Sequence, residues 1–271
     1  MQASTKTKLQ LTVTLALLLI PSWLHAWSTE GHEIVAMLAE QRLQPDVREV
    51  AMTLLEGETF VGAASWADKV RNEQTAPWHY VNIQLADTDY DPGRVCPQDQ
   101  CVIGQIERFS QVLADPNGDV RKRQKALKYL IHFVADLHQP LHAADNHDRG
   151  GNDLSVEFLE STINPYNSKS WNLHAVWDRG LLIESDPDPR RYAERLAAWL
   201  TQQPAGAFQD GSVVDWAMES HRIAREHAYV LPPDHKLGED YVRVNGPVVD
   251  QQLAKAGVRL ARLLNKSLKT P

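Results

Sequence analysis

The chain has 271 residues, 43% hydrophobic and 23% charged, with a formal net charge of −7. That composition suits one or two globular domains and excludes a disordered or low-complexity chain. An acidic balance also argues against a broad electrostatic nucleic-acid footprint, which needs basic surface.

In chain order, Lys6 and Lys8 precede the apolar run "LQLTVTLALLLI" (9–20), and "PSWLHA" follows, ending at Ala26. A basic start, a short apolar middle and a small terminal residue predict a secretory signal peptide over 1–26. The run is too short for a comfortable membrane span. Removal of this segment takes away Lys6 and Lys8 and no acid, leaving 26 basic against 35 acidic residues, a balance of −9. An anionic substrate would then need bound cations for local positive charge. The remaining 27–271 show no Gly/Ser linker and no repeat, so they are expected to form one domain, secreted or periplasmic.

Helical periodicity marks 32–43, 45–57, 103–115, 121–139, 171–183, 189–203, 213–230 and 247–268. Pro140 ends the fourth of these, because it lacks an amide hydrogen. Only "LSVEFLE" (154–160) and "HYVNIQL" (79–85) look strand-like. The expected fold is mainly α, a single-domain helical bundle with at most a small β-hairpin. Cys96 and Cys101, in "CPQDQC", are expected to pair as a disulfide in an exported chain.

The chemistry concentrates in "YLIHFVADLHQPLHAADNHDRGGND" (129–153). His132 and Asp136 stand four apart, hence one turn apart on one helix face. His174 and Asp178 repeat that H-x-x-x-D spacing on a second helix. Two helices that each offer a histidine and a carboxylate to a shared interior can build a metal site between them. A divalent cation also removes the several kcal/mol that a buried, unpaired carboxylate costs. His142 follows Pro140 and can turn back on the same centre. Upstream lie Asp68 and His79, and at the expected new N-terminus Trp27 and His32. A free α-amino group, with a pKa of roughly 7.7–8.0, gives up its proton to a cation at little cost. Imidazole, carboxylate and amine donors in this number suit two or three zinc ions. His138 lies off the 132/136 face and is expected to support the site or play a structural role rather than bind metal.

The motifs "WSTEGH" (27–32), "ASWADKVR" (64–71), "WHYVN" (78–82), "HFVADLHQPLHAADNHDRGGND" (132–153) and "NLHAVWD" (172–178) together resemble the signature of the S1/P1 nuclease family. "VNGPVVDQQLAKAGVRLARLLN" (244–265) resembles that family's last helix. The resemblance implies a secreted, mainly helical enzyme with a buried cluster of three zinc ions. By similarity, Asp68, His79, His132 and Asp136 would hold one ion, and His142, His174 and Asp178 a second. The Trp27 amine and carbonyl, His32 and a bridging Asp136 would hold the third. It further implies hydrolysis of single-stranded RNA and DNA to 5′-phosphorylated nucleotides, with 3′-nucleotidase activity. Asp68 matches the residue that helps activate water, Arg71 a basic position near the phosphate, and Asn152 an asparagine on the phosphate. Tyr80 offers a ring to stack a base. Asn82 stands where fungal relatives carry an aspartate, so base preference does not carry over.

Zinc-dependent phospholipase C shares this fold and nearly this ligand set, and stays open as an alternative. In that family the second helical pair ends in glutamate, whereas here Asp178 is aspartate. An exported zinc-binding protein without catalysis would need every metal position closed by protein ligands. Single-stranded nucleic acid and 3′-nucleotides are the expected substrates. No stable protein partner is expected, and a monomer is the default.

Overall fold

The computed structural model describes residues 27–269; the expected signal peptide lies outside them. Among the described residues, twelve helices follow in chain order: α1 (Thr29–Glu40), α2 (Pro45–Leu54), α3 (Phe60–Ala64), α4 (Trp66–Lys69), α5 (Pro92–Val95), α6 (Val102–Ala114), α7 (Val120–Leu137), α8 (Leu173–Ala175), α9 (Leu181–Ser185), α10 (Pro189–Leu200), α11 (Val213–Ile223) and α12 (Glu239–Ser267). Two wide π-turns join them, Val176–Gly180 between α8 and α9, and Ala224–Ala228 after α11. The fold is mainly α and a single domain.

α7 is the axis of the bundle. From Tyr129 to Leu137 every residue is buried, polar ones included. A helix apolar on all sides belongs in a core, and α6, α1, α12 and α3 surround it. Asp119 caps its start, accepting from the Lys122 amide at 2.9 Å. Its end comes at Leu137, three residues before Pro140, as a proline stop requires.

α1 and α12 cross at Gly257, where a Cβ would lie 2.5 Å from the Leu38 Cβ. Leu38 is fully buried. Gly257→Ala therefore forces the two helix axes apart. Overpacking of this kind costs about 1–3 kcal/mol, against a helix-propensity gain of about 1 kcal/mol. The expected result is a lower melting temperature, by about 2–4 °C for each kcal/mol of net loss in a domain of this size. A variant that melts at or above the parent would show that α1 and α12 do not pack this closely at Gly257.

Three expectations change. The strand pair is not a hairpin. β1 (Glu157–Phe158) and β2 (Lys236–Leu237) pair in parallel, with Phe158 opposite Leu237. Parallel neighbours need a long crossover, and here α8 to α11 lie between them. Residues 79–85 form no strand; among the described residues only an isolated bridge links Gln84 to Asp145. The last helix starts at Glu239, eight residues before Pro247, which sits inside it. Pro247 deprives the Arg243 carbonyl of its helical donor, and Arg243 is exposed, where water can serve instead. Cys96 and Cys101 form the expected disulfide, with an S–S distance of 2.05 Å.

Candidate metal centre

Three groups of buried side chains converge: His32, His132 and Asp136; Asp68, His79 and His132; and His142, His174 and Asp178. Within each group the potential ligand atoms lie within 4.8 Å of one another. All eight histidines and aspartates expected at the site are thus brought together. α1 supplies His32, α4 Asp68, a 3-10 turn His79, α7 His132 and Asp136, a second 3-10 turn His142, and α8 with its π-turn His174 and Asp178. The π-turn widens the backbone where Asp178 must reach inward, a frequent use of such turns.

Four rings are oriented in one way. Nδ1–H of His132 donates to the Ala64 carbonyl at 2.7 Å, that of His142 to His79 at 2.8 Å, that of His174 to Gly150 at 2.7 Å, and that of His32 to Ser28 at 3.2 Å. A carbonyl can only accept, so each contact fixes the proton on Nδ1. In the neutral ring Nε2 then keeps a lone pair facing the centre. Histidines that bind metal are held in this way. His79 is the exception: its Nδ1 faces Asp136 Oδ2 at 3.0 Å, and its Nε2 has no hydrogen-bond partner.

Asp136 is fully buried and touches three imidazoles. Oδ1 lies 2.9 Å from His32 Nε2, and Oδ2 lies 3.0 Å from His79 and 3.2 Å from His132. Gln139 donates to Asp178 Oδ1, whose other oxygen lies 3.3 Å from His174 Nε2. Burial raises the Asp136 carboxyl, but His132 and the histidine hydrogen bonds outweigh it and hold it well below the usual range. Burial opposes a charge on His132, but Asp136 and Asp68 push it up to about 9. His79 and His174 fall to about 4 and about 3, through burial first. Burial also lowers His142 and raises Asp178 well above the carboxylate range. Asp68 ends lowered: burial raises it, and His132 with its neighbours overcomes that.

The donor set fits divalent metal. His142 Nε2 and His174 Nε2 lie 3.2 Å apart. With both protons fixed on Nδ1, two lone pairs point at one another, which only a shared cation or proton makes favourable. The buried Asp68 Oδ1 also has no hydrogen-bond partner. Nitrogen and oxygen donors without sulfur suit zinc among several divalent ions.

The Trp27 indole is fully buried and donates to the Ala135 carbonyl at 2.9 Å, one residue before Asp136. The Ser28 amide donates to the Asp178 carbonyl at 3.0 Å. The main chain at 27–28 is therefore pinned between α7 and the π-turn. His138 points elsewhere: Nδ1 donates to Val134 and Nε2 accepts from Arg259. His147 is exposed.

Beside His142 and His174 opens a cavity of about 220 Å³, lined also by Arg71, Tyr80, Asn82, Asn152 and Arg149. All four substrate-side residues expected from the sequence line it. A larger concavity of about 630 Å³ lies over Glu219 and Arg259, away from the ligand clusters. Asn152 Nδ2 donates to the Arg149 carbonyl at 2.8 Å, which fixes its amide. Asp148 organises the loop beneath, accepting from the Gly151 amide and from the Tyr229 hydroxyl at 2.7 Å. Gly150 adopts φ +62°, and a Cβ there would lie 2.4 Å from the Leu141 carbonyl. Sequence reasoning missed Gln139, Arg149 and Tyr229. Gln139 had one signal, its place between two potential ligands at the helix stop; the other two had none.

The family profile described as S1/P1 Nuclease matches residues 27–269. The chain is 30% identical to Endonuclease 2 of Arabidopsis thaliana, over 94% of each chain. It is 31% identical to Endonuclease 4 of the same plant, over 89% of this chain and 88% of the relative. Nuclease S1 of Aspergillus oryzae is 26% identical, over 94% of this chain and 96% of its own.

Proposed function

Since the chain belongs to the S1/P1 nuclease family and is a hydrolase of phosphodiester bonds, we propose that it cleaves single-stranded RNA and DNA to 5′-phosphorylated nucleotides and removes 3′-phosphates, using three zinc ions. The observation that carries this reading is the pair of facing Nε2 lone pairs of His142 and His174, 3.2 Å apart at the wall of an Arg71-lined cavity. The same convergence favours a nuclease over a phospholipase, because the cavity offers Arg71, Asn152, Tyr80 and Asn82 to a nucleotide. In the proposed arrangement His132, His79, Asp68 and Asp136 hold one ion, and His142, His174 and Asp178 the second. His32, Asp136 and the Trp27 main chain hold the third. Cleavage after Ala26 in an exporting cell would free the Trp27 amine for that role.

Bound divalent cations in such a centre lower the pKa of water, polarise phosphoryl oxygens and stabilise the leaving oxygen. The rest falls to the chain's own groups. Asp68 is ionised and has an oxygen free of hydrogen-bond partners, so it can orient the attacking water and accept its proton. Arg71 and the Asn152 amide hold the phosphate from the other side. Tyr80 stacks a base, and Asn82 meets the base edge. Water adds to phosphorus, the bond to the 3′-oxygen breaks, and that oxygen takes up a proton. The phosphate therefore stays on the 5′ side, and no nucleophilic side chain is needed.

The test uses zinc-loaded protein starting at Trp27, a single-stranded RNA oligonucleotide and mass spectrometry of the products. Mononucleotides with 5′-phosphate are expected, and Asp68→Asn should lower kcat by about 10²- to 10⁴-fold. Products carrying 3′-phosphate would overturn the direction of cleavage. Intact RNA beside hydrolysed phosphatidylcholine would move the activity to lipids.

A further inference from the structure

We propose that the outer half of α7 and the adjoining face of α4 form a cationic rail that binds single-stranded nucleic acid remote from the scissile phosphate. This rests on the nuclease reading and deepens it, because it assigns polymer chains, rather than mononucleotides, as the preferred substrate.

The chain is acidic overall, yet "RKRQKALK" (121–128) holds five cations and no acid. These residues open α7, and its first turn carries no acidic side chain. A helix N-terminus favours negative charge. Arg121, Lys122 and Arg123, in that first turn, thus stand where the helix itself disfavours them, next to the capping Asp119, a local conflict of the kind expected at functional surface.

The spacing aligns them with the centre. Arg121, Lys125, Lys128, His132 and Asp136 follow at intervals of four, three, four and four, which is one face of one helix. His132 and Asp136 are fully buried at its inner end, so the part open to a strand runs from Arg121 to Lys128, about 10 Å at 1.5 Å per residue, or about three nucleotides of a stacked strand at roughly 3.4 Å each.

The outer part of the stripe borders a groove of about 520 Å³, with Trp66, Leu54 and the exposed Val120 in its walls. The Lys128 ammonium sits 5.5 Å from the Trp66 ring centroid and also pairs with Glu58. Arg121 and Lys125 are exposed. Cations along a groove with an aromatic wall are what a single strand binds without sequence preference. From Trp66, the exposed Lys69 and Val70 lead to Arg71 at the active cavity. In the larger concavity over Arg259, Glu219 pairs with both Arg259 and Lys255; in this groove Glu58 pairs with Lys128, and Glu56 stands in the wall beside the exposed Arg121 and Lys125.

The test compares Arg121→Ala/Lys125→Ala with Arg190→Ala/Lys266→Ala. The second pair removes the same charge from exposed positions outside the groove. The readout is the ratio of kcat/KM on a single-stranded 20-mer to that on a dinucleotide. The groove variant is expected to lower the ratio about tenfold. Its kcat/KM on the 20-mer should also depend less on salt, by about 1.4 in log–log slope, at ~0.7 for each phosphate that no longer meets a cation. The control pair should keep the parental ratio. Equal ratios in both variants would overturn the rail. Anisotropy of a labelled 20-mer on the Asp68→Asn background reads the groove without turnover. There the groove variant should raise Kd about tenfold, and an unchanged Kd overturns the rail whatever the enzyme cleaves. A parent that cleaves neither substrate would instead defeat the nuclease reading.

Discussion

Asp136→Asn is expected to abolish hydrolysis, by about 10³-fold or more in kcat/KM. One preorganised electrostatic group is commonly worth 10²- to 10³-fold, and Asp136 serves more than one neighbour. Its two oxygens reach His32, His79 and His132 within 3.2 Å. An asparagine of the same shape keeps one acceptor, loses the charge, and turns an amide donor toward imidazoles. Elemental analysis should then show less than the parental metal content. In the metal-free protein the same change strands a protonated His132, fully buried, without its closest acid. Breaking a buried pair in this way costs about 3–5 kcal/mol, so the metal-free variant should also melt earlier. Asp240→Asn, on the exposed start of α12, is the matched control. A variant with full metal load and activity within tenfold of the parent would remove Asp136 from the centre.

Metal uptake should release protons, and metal removal should destabilise the fold. At pH 7 the metal-free His132, raised to about 9, carries a proton, and buried Asp178 is shifted toward keeping one. Ligands must shed such protons to bind, so affinity falls as pH falls, tenfold per unit for each proton displaced. Calorimetry with zinc at pH 7 in buffers of different ionisation enthalpy should report at least one proton released per chain. Heats independent of the buffer would refute this protonation pattern. For the metal-free fold the groups act in two directions. His132 has a folded pKa above its unfolded value, so its stabilisation is complete below about 6.5 and disappears as pH rises through about 9. His79 and His174 are depressed to about 4 and about 3. Below about 6.5 the unfolded chain takes up protons that these rings refuse, so stability falls with acid. Each site held at a thousandfold excess over its Kd adds about 4 kcal/mol. At about 2–4 °C per kcal/mol, chelation of three such sites should lower the melting temperature by roughly 20 °C or more.

The ligand-bearing parts of the fold were legible because they repeat. His132/Asp136 and His174/Asp178 show the same spacing, and α7 is long enough for its period to stand out. The isolated short helices α3, α4 and α5 were not legible. α3 is five residues long, and its local signal is the Thr59 cap on the Gly62 amide, too little for a pattern that needs eleven residues. β1 falls inside the strand-like 154–160, but its partner β2 is two residues long and 79 positions on, from Glu157 to Lys236, so no alternation could reveal the pair. Gly246-Pro247 reads as a boundary, yet the helix runs through it, and the carbonyl it leaves without a helical donor belongs to the exposed Arg243. The side chains of the site could be named from the sequence. The supports of the ligand rings could not, because they are main-chain oxygens that every residue type possesses.

Those supports have a consequence for mutational scanning. Ser28, Ala64, His79 and Gly150 each hold a ring through the backbone carbonyl. Replacing a side chain at Ser28 or Ala64 leaves the acceptor in place. Half of the scaffold that aims the histidines is therefore silent to alanine substitution, and comparison of side chains across variants would not find it. Only a change that moves the chain itself, such as an insertion, a deletion or a proline in these segments, would expose how much the centre depends on them.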